Sequence, residues 1–81
     1  MLQKKNELIK AIENYEIAIE LLQKEKDFNL DTFKEYTLAL GKINVMAFNY
    51  DAAIECFEEV MQYEETIELN RLIAEAYFGK K

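Results

Sequence analysis

Apolar residues recur at helical spacing along most of the chain. Leu8, Ile12, Tyr15, Ile19 and Leu22 step by four and three, which places them on one face of a helix. A second series, Tyr36, Leu40, Ile43, Ala47, Tyr50, Ile54, Phe57 and Met61, steps the same way. Sustained period-two alternation is missing, as are Asn-Gly and Asp-Gly hairpin turns, while Glu, Lys, Leu, Ala and Ile dominate. The pattern predicts an all-α fold. Without Pro, the breaks are read from polar clusters and caps. One falls at Asp27 to Thr32, where Thr32 and Glu35 have the spacing of a capping box. Another falls at Glu64-Glu65-Thr66, with Thr66 as N-cap of a last helix ending near Gly79. Asn14 and Asn49 are further cap candidates, because Asn suits a helix end better than a helix interior.

The chain repeats itself. Asn14-Tyr15-Glu16-Ile17-Ala18-Ile19-Glu20-Leu21-Leu22 aligns with Asn49-Tyr50-Asp51-Ala52-Ala53-Ile54-Glu55-Cys56-Phe57 at an offset of 35, with five of nine pairs identical. Leu40-Gly41 is echoed by Ile73-Ala74 at an offset of 33. Such periods are those of stacked helical hairpins.

In these features the chain resembles the tetratricopeptide repeat family. Leu40-Gly41 stands as the large-small pair of a first helix, Ala53 follows Leu40 by thirteen residues, and Phe57 follows Ala53 by four. Ala18 and Leu22 match the second-helix half of a preceding unit, and Ile73-Ala74 with Tyr77 the first-helix half of a following one. The resemblance implies a short right-handed α-solenoid in one domain, residues 1–81, of about two and a half units: 1–30, 31–65 and 66–81. Gly41, Ala53 and Ala74 would let helices approach, and Leu40, Phe57 and Tyr77 would fill the gaps. A large residue at Ala53 would then overpack the hairpin by roughly 1–3 kcal/mol. The chain departs from the family at Asn44, where an aromatic is usual, at Phe48, where a turn Gly is common, and at Glu65, where Pro often ends the unit. The opening unit would have its first helix at Leu2 to Ile12, where Lys5-Asn6 do not match the large-small pair.

A rival architecture follows from the same periodicity. The second apolar series runs straight through Asn49, which taken literally gives one helix from about 32 to 64 and another from 2 to 26. These would form a long-helix hairpin or a coiled coil. Whether the chain turns at Phe48-Asn49 separates the two.

Composition narrows the function. The 81 residues carry a net charge of −6, the wrong sign for gripping a phosphate backbone. Eight acids lie between Asp51 and Glu75 against one base, Arg71. A Glu-rich solvated helix face explains this run, and it would also steer a basic partner. No apolar stretch is long enough for a membrane span, and a lone Cys56 in a chain this short indicates a reduced, cytoplasmic protein. With no His, the common nucleophilic triads and ordinary zinc sites are excluded, and no Gly-rich loop offers a phosphate cradle. No cofactor, metal or catalytic residue is expected, so the chain is read as a non-enzyme. Cys56 reads as a small core hydrophobe.

The resemblance implies a protein-binding scaffold whose groove is lined by first helices, with Glu35, Leu38 and Lys42 on one and Glu68, Arg71 and Glu75 on the next. A familiar subclass clamps acidic C-terminal tails with Lys, Asn and Arg. Here Leu38 with Lys42, and Glu68 with Leu72, stand at the corresponding positions. A mixed-charge or basic segment is therefore the expected ligand. The alternative is an oligomerisation segment acting through its apolar terminal helices, with Leu69, Leu72, Tyr77 and Phe78, or part of Leu2 to Ile12, covered by another chain.

Overall fold

A computed structural model describes residues 2–80, with side chains from Asn6 onward. It is all-α: helix α1 spans Leu2–Lys24, α2 Leu30–Met46, α3 Tyr50–Met61 and α4 Ile67–Lys80. Each helix packs on the next in the chain: α1 on α2, α2 on α3, α3 on α4. The Cα atoms span 40 × 30 × 15 Å, a slab thin enough that every helix keeps a broad face toward solvent.

The turn between α2 and α3 excludes the long-helix alternative. The chain leaves α2 at Met46 and re-enters helix at Tyr50. The Asn49 N–H donates to the Asn44 carbonyl at 2.8 Å and the Phe48 N–H to the Val45 carbonyl at 3.0 Å. This is the hydrogen-bond pair of a Schellman motif, which places Phe48 at the position usually held by a left-handed Gly. Phe48 adopts φ 64° and leaves its ring 77% exposed. Asn44 is buried, and its side-chain amide donates to the Leu40 carbonyl at 3.0 Å. A left-handed conformation costs a non-Gly residue about 1–2 kcal/mol. Phe48→Gly should therefore stabilise the protein by roughly 1 kcal/mol, less what Gly gains in unfolded-chain freedom. A rise in the urea midpoint checks this; a fall would show that the contact of Phe48 with Tyr50 outweighs the backbone cost.

Other boundaries differ from the sequence reading. Asn29, not Thr32, is the N-cap of α2: its side chain accepts the Thr32 N–H at 3.1 Å, so Thr32 lies inside the first turn and the Thr32–Glu35 box does not form. Thr66 does cap α4, its hydroxyl accepting the Leu69 N–H at 3.0 Å. Helix α1 runs unbroken through Asn14, so a separate first helix at Leu2 to Ile12 does not exist. The side chains of Leu2 to Lys5 lie outside the described residues.

The core sits among α2, α3 and α4. Ala53, Phe57, Val60 and Leu69 form its centre, flanked by Leu38, Val45, Met61, Leu72 and Ile73. Phe57 seals against Gly41: a Cβ on Gly41 would come within 2.6 Å of the Phe57 ring. The small residue that nests α4 is Ala76, which is fully buried, and not Ala74, which is exposed. Tyr77 is likewise half-exposed rather than a gap filler. Helix α1 is attached differently. Leu8, Ala11, Ile12, Tyr15, Ala18, Ile19 and Leu22 are only partly covered, and Tyr15 meets Tyr36 edge-on at 5.9 Å.

Candidate functional site

Four of the six residues picked out as a groove, Glu35, Leu38, Lys42 and Glu68, lie on the face between α2 and α4. Helix α3 separates α2 from α4 in sequence and packs against both, so that residues from the N-terminal halves of α2 and α4 line one depression. Between them lies a shallow depression lined by Asp31, Lys34, Glu35, Leu38, Val60, Glu64, Thr66, Glu68 and Leu69. Its floor is apolar (Leu38, Val60, Leu69), and its rim has four carboxylates against one ammonium.

The six residues are not equivalent. Glu35, Leu38 and Glu68 line the depression; Lys42 lies just beyond it, 3.6 Å from Glu68. Leu38 is half-buried and flanks the core, so much of its surface is already used. Arg71 and Glu75 are exposed on α4 away from the depression. Asp31, Lys34 and Glu64 were missed by the sequence reading. Lys34 spans the mouth, 3.0 Å from Glu64 and 3.6 Å from Asp31. The hydrogen bond that the Lys34 ammonium donates to Glu64, with both carboxylates nearby, raises the Lys34 pKa above its ordinary value. A tie between residues 34 and 64 has no local signal; only the antiparallel register of α2 and α3 reveals it.

With Lys34 and Lys42 each held by a carboxylate, the face keeps a net negative rim over an apolar floor. Such a surface suits a segment that offers both a base and an apolar side chain. The exposed large apolar residues of α1 and α4 do not line it: Ile9, Ile17 and Leu21 on α1, Ile67, Tyr77 and Phe78 on α4. Leu69, in contrast, is buried, and Leu72 is partly covered by the core, so these two are core residues rather than a contact surface.

Cys56 lies half-buried beside Gly41. Burial, with Glu59, Glu55 and Glu16 nearby, pushes its thiol from 9.0 up to about 11. The folded protein therefore keeps a proton that the unfolded chain releases between those two values. Cys56 contributes a loss of stability as pH rises from 9.0 to about 11, and no pH dependence below that window. Cys56→Ala should flatten this part of the stability–pH curve measured by urea titration. An unchanged slope would assign it to other groups. Among the described residues, no three His, Cys, Asp or Glu side chains converge as a metal site. No described helix is long and apolar enough to cross a membrane.

Compared with known proteins, the chain matches no family model, no curated protein and no solved structure.

Proposed function

We propose that the chain is a non-catalytic protein-interaction module of tetratricopeptide-like design. In this reading α2 and α3 form one complete hairpin unit, α1 plays the second helix of the unit before it, and α4 the first helix of the unit after it. The nesting of Phe57 on Gly41, at the family's spacing, supports the assignment. The depression between α2 and α4 carries the functional part: an apolar floor ringed by Asp31, Glu35, Glu64 and Glu68 holds a basic or mixed-charge segment of another protein.

Fluorescence anisotropy with two labelled peptides of equal length tests this. A Lys/Arg-plus-Leu peptide should bind, weaken as salt rises, and lose affinity with Glu35→Lys or Glu68→Lys. Tight binding of a Glu/Asp-rich C-terminal peptide, abolished by Lys42→Ala, would overturn the proposal.

A second reading, assembly through the terminal helices, is favoured by one observation. Large apolar side chains exposed within helices fall mostly on α1 (Ile9, Ile17, Leu21) and α4 (Ile67, Tyr77, Phe78), at opposite ends of the helix order, with only the two end residues of α2, Leu30 and Met46, besides; Phe78 is 79% exposed. Scattered exposed apolar residues need no explanation, but a run along one helix face does.

A further inference from the structure

The internal repeat says what the open face of α4 is shaped to receive. Helix α2 has a deeply covered line of residues, Thr37, Gly41 and Asn44, spaced by four and three on one face. At Gly41 the cover comes from α3, through Phe57 and Cys56. The repeat offset of 33 carries this line to Asn70, Ala74 and Tyr77 on α4, and all three are exposed. So α4 presents the face that α2 gives to α3, with nothing among the described residues over it.

Helix α1 presents the reciprocal face. The offset of 35 carries Ala52, Ala53, Cys56 and Phe57 of α3 to Ile17, Ala18, Leu21 and Leu22 of α1. Ile17 and Leu21 are 55% and 58% exposed, although α1 already packs on α2 through its other side. One helix type lacks its second-helix partner and the other lacks its first-helix partner, within the same chain.

We propose that α1 of a second copy docks antiparallel on the open face of α4, so that the two recreate between copies the α2–α3 hairpin found within one. The proposal rests on the assembly reading above and not on the α2–α4 depression. The register is set by Lys34 with Glu64 and Phe57 with Gly41. Transferred to the new pair, it seats Leu22 of the second copy on Ala74, as Phe57 seats on Gly41. Phe78 takes the place of Val45, which packs on the cluster containing Ala53, and so meets Ala18 and Ile17 of the second copy. Size complements size at each point: small Ala74 against large Leu22, large Phe78 against small Ala18. Charge agrees as well. Leu38 lies level with Val60 in this register, which brings Arg71 level with Glu25 of the second copy; among the described residues Arg71 is in no ion pair. The contact is head-to-tail, so an assembly of any length keeps one free α4 face at one end and one free α1 face at the other, and association propagates rather than stopping at a closed dimer.

Light scattering coupled to size exclusion, on the full chain over a concentration series, tests this. The wild-type protein should grow in mass with concentration. Ala74→Glu blocks the α4 face and Leu21→Glu the α1 face; both positions are exposed, and circular dichroism checks that each variant folds. Each variant alone should stay monomeric. Mixed in equal amounts they should form dimers and go no further, because each supplies the face the other lacks. Phe78→Asp with Ile17→Asp repeats the test at different positions. If the wild-type chain is monomeric throughout, both the assembly reading and this proposal fail. If it associates but Leu21→Glu still self-associates, or the mixed variants stay apart, assembly stands and the α4–α1 pairing is wrong.

Discussion

Phe57→Ala should lower the unfolding free energy by about 3–5 kcal/mol, the usual cost of emptying a buried aromatic site. The ring is fully buried, and its neighbours come from three helices: Gly41 on α2, Ala53 and Val60 on α3, Leu69 on α4. Collapse around the void is limited, because Ala53 and Gly41 have no side-chain length with which to fill it. A chain of this size has a total stability of roughly 4–12 kcal/mol, so the variant loses a large share of it. Urea unfolding followed by circular dichroism measures the change. Tyr77→Ala, at a half-exposed position, is the control and should cost far less. A loss under about 1 kcal/mol for Phe57→Ala would mean that α2, α3 and α4 do not share one core.

Gly41→Ala is the complementary experiment. In an exposed helix this change gains about 0.5–1 kcal/mol. Here the new methyl would stand 2.6 Å and 2.9 Å from two atoms of the Phe57 ring and 3.1 Å from Cys56 Cβ. The ring cannot swing aside, since it is enclosed. The expected result is a net loss of roughly 1–3 kcal/mol. Phe57→Leu introduced alongside should recover part of it, giving a coupling between the sites that independent effects would not show. Gly79→Ala sets the scale from the other side. Its methyl would meet the Tyr50 ring at 2.7 Å, but that ring lies at a partly open edge and can move. A stabilising Gly41→Ala would remove the close approach of α2 and α3 on which the hairpin depends.

Several features were legible in the sequence and others were not, for reasons particular residues make plain. The Gly41, Ala53 and Phe57 nest was readable because its spacing is intrinsic to two antiparallel helices at close approach. Thr66 was readable as a cap because its partner lies three residues on. Asn14 and Asn49 look alike in sequence yet differ in structure. Asn49 follows the buried Asn44 by five residues, and its N–H finds that carbonyl; Asn14 follows Ile9, and the helix simply continues. The cap at Asn29 was overlooked because Thr32 and Glu35 offered a stronger local pattern, and local pattern does not include where α2 must begin to meet α1. The offset from Gly41 makes Ala74 a nesting residue in the sequence reading. The offset is real, but no described helix lies opposite to make the nest, so Ala76 on the α3 side takes that role. In the candidate site, the exposed carboxylates could be placed on a face from periodicity. The ties of Lys34 to Glu64 and Lys42 to Glu68 depend on inter-helix register, which periodicity leaves free.

The serial order of packing, each helix resting on its sequence neighbour, also governs how the molecule comes apart. Helices α1 and α4 each pack mainly on a single neighbour, whereas α2 and α3 are clasped from both flanks. Unzipping thus proceeds from the two ends inward, with the α2–α3 pair the last to let go of its amide protons. Refolding retraces the same path from the middle outward, and because partners are close along the chain it needs no slow search for distant strands.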